Sequence, residues 1–400
     1  MRLLIPKPSS RSPLYVLFGV VIVDLIGFGI VMPVLPFYAK EYGASASVLG
    51  WLLGCHAAAQ FVFAPLWGRL SDRIGRRPVL LMTIAGTALS LLALGLATSL
   101  PWIFAARVLG GAFAANISVA SAYIADVTAE EERTRWMGML GASFGIGFVL
   151  GPAIGGALAP FGYHVPLLVA AGLATLNWLH AMASLQEPPR HAAAEEATRT
   201  RTALLRDPLV RRLCTANLVF SVAVTQLETV FAFFMIDRFG YDAPHVAVIL
   251  VLMALLMGGV QGGGMKALAA RFPERTLVIA GCLALAVAFA ALPEMPTMAW
   301  LAVPLALSAL GRAVVQPSLL SMTSQAASPR ERGAVMGAFA ASASLARVAG
   351  PLAAGFLYDR SQPAPFWFAS ALLFATAALA LALPRRTVAG AALAMARPAR

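Results

Sequence analysis

Gly68-Arg-Leu-Ser-Asp72-Arg73-Ile-Gly75-Arg76-Arg77-Pro78 sets four arginines, one acid and two glycines between two long apolar segments. A connection so short and so charged reads as a tight hinge at a membrane surface. Its glycines permit sharp turns and close approach of backbones. Asp72 can sit near the positive amino end of a neighbouring helix, and the arginines can pair with acids or lipid phosphates. A bare topology signal would need the cations, but not the spacing of Gly68, Gly75 and Asp72.

The segments on either side of the hinge belong to a series. The chain has 400 residues, 60% hydrophobic and 12% charged, with mean hydropathy +0.79. That is more apolar surface than one soluble core can hide. Apolar runs of about 20 residues, long enough to cross a hydrocarbon layer of about 30 Å, recur from Leu14–Tyr38 to Pro365–Leu383. Twelve such runs predict an all-α integral membrane protein with twelve transmembrane helices.

The net charge is +12. With both termini in the cytoplasm, Lys40, Arg238 and Arg360 lie outside and Arg107, Arg312 and Arg347 lie within spans. The rest of the 30 Lys and Arg fall inside, the expected bias. The basic balance then serves topology and contact with anionic membrane lipids, not nucleic acid. Cys55, Cys214 and Cys282 have no paired spacing, so neither a disulfide framework nor a metal site is expected, and no cofactor is implied. The first apolar run continues through Asp24, Pro33 and Pro36 without a small-residue cleavage site, and is expected to stay as a span.

Residues 187–212 are polar, start beside Pro188 and Pro189, and carry mixed charge. They read as a cytoplasmic linker between a six-helix bundle at 1–186 and a second at 213–400 with a short basic tail. The halves share a pattern. Glu132-Arg133, Gly138 and Gly151-Pro152 recur at the same spacing as Glu331-Arg332, Gly337 and Gly350-Pro351. Arg73 to Arg77 has a weaker counterpart in Arg271 to Arg275. A repeat with an even number of helices predicts pseudo-symmetric, parallel halves with a substrate site between them near the midplane.

The chain resembles a transporter of the major facilitator superfamily, whose loop between helices 2 and 3 the Gly68–Pro78 stretch is similar to. Asp24 to Pro36 (DLIGFGIVMPVLP), Ser71 to Leu81 (SDRIGRRPVLL) and Gly141 to Gly156 (GASFGIGFVLGPAIGG) resemble the twelve-helix drug:proton antiporters, especially the tetracycline efflux proteins. The resemblance implies a monomer in the inner membrane that exports a small amphiphilic compound in exchange for protons by alternating access. It implies a proton-coupling acid at Asp24 and a proton-linked arginine at Arg107. Gly147, Gly151, Pro152, Gly155 and Gly156 resemble the helix 5 pattern of antiporters. Small residues at spacing four also let helices pack closely, and Pro152 removes a backbone hydrogen bond. Gly68, Asp72, Arg73, Gly75, Arg76, Arg77 and Asp126 would form a cytoplasmic gate, with Arg76 paired to Asp126 and Asp72 against the start of helix 11 in the outward-facing state. The chain departs from the tetracycline exporters in carrying Ser90 and Ala284 where they have further acids.

Transport chemistry needs groups that change charge. Of 18 acids, Asp24 and Glu228 alone sit well inside predicted spans, on the equivalent first helices of the two halves. A lone carboxylate there is costly in its charged form and suits a proton carrier. Glu228 is expected to carry the second proton and, if the substrate is cationic, to exchange directly between substrate and proton. Arg107, Arg312 and Arg347 are the natural partners, in a coupled or a static pair. Gln60, Asn116, Gln226, Gln261, Gln316 and Arg347 are expected to line a cavity, or else to join helices. His56 is titratable, although a lone His is usually structural. A nutrient importer on the same scaffold and a nontransporting receptor remain as alternatives. No His, Cys or acid cluster suggests an enzyme, and no GxxxxGK[ST] loop suggests an ATP-driven pump.

Overall fold

The computed structural model describes residues 12–128, 130–188, 207–328 and 331–384. The basic residues before the first span, most of the predicted linker and the basic tail lie outside them. Twelve helices among the described residues are long and apolar enough to cross a membrane. They are α1 (Leu14–Glu41), α2 (Ala46–Ile74), α3 (Arg76–Gly95), α4 (Leu100–Val127), α5 (Arg135–Phe161), α6 (His164–Ser184), α7 (Pro208–Phe239), α8 (Ala243–Arg271), α9 (Glu274–Glu294), α10 (Met298–Ala326), α11 (Arg332–Arg360) and α12 (Ala364–Leu381). No strand occurs among the described residues. This is an all-α membrane protein.

Local chemistry explains several boundaries. Asp207 precedes α7 and accepts hydrogen bonds from Leu209 N at 2.7 Å and Val210 N at 3.3 Å, with Pro208 at the first helical position. That satisfies amino-terminal N–H groups and loses none that the helix needs. Gly240 ends the helix in the left-handed region, the usual glycine stop. Asp359, near the end of α11, caps α2. Its carboxylate accepts from Ser45 Oγ at 2.9 Å, Ala46 N at 3.0 Å and Ser47 N at 2.9 Å. Removing this cap with Asp359→Ala should cost about 1 kcal/mol. Thermal unfolding in detergent would show it, and an unchanged Tm would mean that the cap is energetically idle.

Two helices are irregular inside the membrane. α4 breaks at Ala114–Ala115, between segments Leu100–Phe113 and Asn116–Val127. No proline is present there. The carbonyls freed by the break are taken by α2 side chains, Gln60 Nε2 to Ala114 O at 2.9 Å and Trp67 Nε1 to Ala112 O at 2.6 Å, as an apolar solvent requires. α8 passes through a π-helical turn at Val260–Gly264, in the run Gly258-Gly-Val-Gln-Gly-Gly-Gly264.

The chain packs into two compact units. One comprises Met1–Tyr42, Ala58–Ala194 and Ala243–Val251; the other comprises Gly43–Ala57, Glu195–Asp242 and Leu252–Arg400, each taken over its described residues. In the first, Phe18 stacks on Trp136 with centroids 5.6 Å apart, within a core that includes Leu17, Ile84 and Tyr123. In the second, α7 forms the centre, with 72% of its most apolar window buried. Trp51, Phe61, Leu252 and Trp300 are exposed. Side chains this large are tolerated outside because the surrounding solvent is hydrocarbon.

Candidate functional site

The hinge closes on itself and on the end of α6. Gly75 takes φ +112°, a conformation that side chains with a Cβ rarely adopt, and turns the chain from α2 into α3. Arg76 Nε then reaches Asp126 Oδ2 at 2.7 Å, and its Nη1 reaches Asp72 Oδ1 at 2.5 Å and Ser71 Oγ at 2.6 Å. Asp72 stays largely exposed, as does Arg73. Glu187, in the stretch that reads as the start of a linker, accepts from the backbone N–H of Arg76 at 2.7 Å and of Arg77 at 2.9 Å. A carboxylate is well placed at that amino end. Arg77 returns the contact, donating to Leu185 O and Met182 O, both at 2.7 Å, at the carboxyl end of α6.

Glu187→Ala should therefore loosen both helix ends, lowering stability by about 1 kcal/mol and raising hydrogen exchange at Arg76 and Arg77 amides above that of the α3 centre. Unchanged exchange there would show that water replaces Glu187 at no cost. Sequence reading missed this residue. The sequence shows only an acid two residues past an apolar run, and nothing in it ties that acid to the hinge.

The equivalent connection in the second unit uses the opposite polarity. Glu274 opens α9 and accepts from Gln325 Nε2 at 3.1 Å and Ser321 Oγ at 3.4 Å on α10.

α1 and α5 meet along the glycines of α5. A Cβ on Gly147 would lie 2.6 Å from Leu25 Cβ, and one on Gly151 would lie 2.5 Å from Gly29 Cα. One on Gly155 would lie 2.7 Å from Ile30 O, and Pro152 Cδ borders Gly29. Gly156 faces Ala247 of α8. In the second unit, Gly350 of α11 is pressed against Thr225 of α7.

This seam adjoins Asp24, on the same turn of α1 as Leu25. Asp24 Oδ1 accepts from Asn116 Nδ2 at 2.7 Å. Asn116 is buried at 6% exposure and opens the second segment of α4. The α4 break thus sets an amide beside the membrane carboxylate, and Asn116 Oδ1 is left buried without a hydrogen-bond partner. Arg107, 8% exposed on the first segment of α4, is engaged in a contact of its own. Ser90 is buried and bonds back to Thr87 O at 2.8 Å, and Ala284 is half-buried on α9.

Glu228 is differently placed. It forms an ion pair with Arg312 Nη1 across α7 and α10, and its charge acts on Arg347 of α11. Val224, Leu227, Met253, Leu285, Phe289 and Arg312 line a small pocket next to this pair.

The predicted cavity amides separate into three sets. Gln226 is fully buried, donating to Gly350 O and Val222 O at 3.0 Å each, so the expectation that it lines an open cavity is corrected: it joins α7 to α11. Asn116 and Gln60 belong to the α4 break. Gln316 and His56 are half-buried, and Gln261 is exposed on the π turn of α8. Among the described residues no His, Cys, Asp and Glu group could hold a metal.

The family model of the Major Facilitator Superfamily matches residues 17–292 and 265–398. The chain belongs to the major facilitator superfamily. This facilitator is 34% identical over 364 residues to the class D tetracycline resistance protein of Salmonella ordonez, covering 88% of this chain and 91% of that protein. It is 28% identical to Multidrug resistance protein 1 of Bacillus subtilis (strain 168), over 94% of this chain and 97% of the other. Among solved structures, the human organic anion transporter MFSD10 (TETRAN) superposes with a TM-score of 0.71 at 26% identity, covering 94% of this chain and 100% of that one. The facilitator is a transporter, not an enzyme, and its twelve spans make it a multi-pass membrane protein.

Proposed function

We propose that this facilitator exports amphiphilic organic compounds across the inner membrane in exchange for protons, by alternating access of two six-helix halves joined by the 187–212 segment, with both termini cytoplasmic. Asp24 is the proton carrier. The observation that carries the reading is the Asp24–Asn116 contact at the α4 break. It is a membrane carboxylate held by a neutral amide, and Glu228, by contrast, is held in an ion pair with Arg312.

An amide can serve both states of a carboxyl group. Asn116 donates Nδ2–H to the charged form. After a half-turn about its last torsion, Oδ1, which has no partner in the present state, can accept the O–H of the protonated form. The tetracycline and multidrug relatives support an organic substrate, and the glycine seam of α1 and α5 beside Asp24 supports antiport, because a tight contact there resists leakage. The hinge from Gly68 to Pro78 with Asp126 is assigned to gating, where a two-state contact can be biased by local charge.

Proteoliposomes holding trapped pyranine test the proposal. With an imposed pH gradient, tetracycline should accumulate against its own gradient while the dye reports a matching proton flux. A substrate-independent proton leak, or tetracycline movement with no proton flux across a panel of dyes and drugs, would overturn it. Net uptake in the direction of the proton gradient would favour the importer.

A further inference from the structure

We propose that Tyr358 and Asp359, at the end of α11, form a latch that holds the start of α2 and keeps closed the face of the protein opposite the hinge. The inference rests on the reading that this chain works by alternating access, and it names a contact that must break when that face opens. α2 begins at Ala46 and reaches the hinge only at its far end, Ile74, so its first turns lie at the opposite face. Those turns belong with the second unit. Gly43–Ala57 joins the compact unit that holds α11, and from Ala58 the helix belongs to the other.

Close backbone contact and a polar clasp hold this segment. A Cβ on Gly50 would press on Pro351 O, one on Gly355 on Ala46 O, and one on Gly54 would lie 3.2 Å from Leu352 Cδ2, so α2 and α11 touch along small residues. In lipid such a contact gains little from apolar burial and rests on fit. Asp359 adds direction. Its Oδ2 accepts from Ser45 Oγ and Ser47 N, both at 2.9 Å, and its Oδ1 from Ala46 N at 3.0 Å. Both carboxylate oxygens thus face the positive amino end of α2. The preceding residue fixes the platform. Tyr358 is buried, donates its O–H to Asp237 Oδ2 of α7 at 3.0 Å and stands edge-on to Phe233. One turn of α11 grips α7 with Tyr358 and α2 with Asp359.

The latch is one-sided and reversible. In the register that matches Gly151-Pro152 to Gly350-Pro351, Gly355 corresponds to Gly156 and Asp359 to Pro160. The contact of α5 with α8 at Gly156 and Ala247 therefore has no carboxylate at the equivalent place. Asp359 and Ser45 are exposed, so when α2 withdraws, water takes over the carboxylate oxygens and the N–H groups of Ala46 and Ser47. Neither state leaves a buried polar group unsatisfied, and the difference between them is small enough for a ligand or proton bound elsewhere to tip.

Pulsed electron–electron distance measurements on the full chain in nanodiscs test the latch without any gradient. Nitroxide labels go at Thr98 and Thr297, exposed residues at the α3–α4 and α9–α10 turns on the same face, with Cys55, Cys214 and Cys282 replaced by Ala. The otherwise unaltered chain should show mainly the short separation. Asp359→Ala should raise the ratio of long to short separations about fivefold, the change in population that loss of a helix cap corresponds to. Asp359→Asn should raise it less, since the amide keeps one oxygen acceptor, and Tyr358→Phe should act in the same direction. Asp207→Ala removes the cap of α7 and leaves the latch, so the ratio should stay unchanged. An unchanged distribution in Asp359→Ala, or an equal shift in Asp207→Ala, would overturn the latch and leave Asp359 a cap alone. Hydrogen exchange on the unlabelled chain is the independent check: release of a latch raises exchange along residues 348–355 of α11 as well as at Ala46 and Ser47, and a rise confined to Ala46 and Ser47 would again reduce Asp359 to a cap. Loss of proton-coupled tetracycline efflux with the Asp359→Ala shift intact would remove the export reading and leave the latch standing. Normal efflux with no shift would remove the latch alone.

Discussion

Asp24→Asn is expected to reduce gradient-driven transport to background while the protein inserts, folds and binds substrate. The substituted amide keeps an oxygen for the Asn116 Nδ2–H now bonded to Asp24 at 2.7 Å, so the local contact survives and only the ability to gain and lose a proton disappears. Folding is checked by thermal unfolding and transport by the pyranine assay. Counterflow, which exchanges substrate for substrate and needs no net proton movement, should persist in the variant. Full gradient-driven accumulation would reject Asp24 as the carrier. Asn116→Ala provides the companion measurement. A residue that follows the carboxyl through both states should, when removed, displace the pH profile of transport without abolishing it.

Gly151→Ala should have the second large effect, and through packing instead of charge. The new methyl would lie 2.5 Å from Gly29 Cα, 2.6 Å from Gly29 C and 2.9 Å from Ile26 O. All three are backbone atoms of α1, so no side-chain rotation relieves the clash. Either α1 moves away from α5, or α5 bends differently at Pro152. Overpacking of this kind costs about 1–3 kcal/mol, and the displaced turn of α1 is the one next to Asp24. Transport should fall at least tenfold, with a lowered Tm. Gly138→Ala, where a Cβ would meet nothing within 4 Å, is the control on the same helix and should leave both unchanged. Wild-type stability and transport in Gly151→Ala would show that the α1–α5 seam is looser than its geometry.

The hinge shows how far the sequence could be read. The pairing of Arg76 with Asp126 was legible through the family resemblance, which implies an acid at the end of helix 4 opposite a hinge arginine. Gly75 was legible because a two-helix turn without spare residues needs a positive φ. Glu187 was not, since its role depends on where α6 ends relative to α3, and no spacing in the chain encodes that. The same reason separates the two membrane acids. Asp24 and Glu228 look alike in sequence, one on the first span of each half. Only packing gives one an amide and the other an arginine. Gln226 and Gln60 are equally alike on paper, yet one is sealed between α7 and α11 and the other ties down a broken helix.

By itself the sequence determined the solvent, the number of spans, the family and the inventory of groups able to change charge. Each follows from composition, from segment length against bilayer thickness, or from residues adjacent along the chain. The tertiary structure decided which groups meet: Asn116 with Asp24 through the α4 break, Arg312 with Glu228, and Asp359 with the start of α2. These contacts depend on the rotation and depth of each helix against its neighbours. In a lipid-soluble chain that choice is made by close fit of small residues and by polar groups seeking one another, because burying apolar faces gains little when the surrounding solvent is equally apolar.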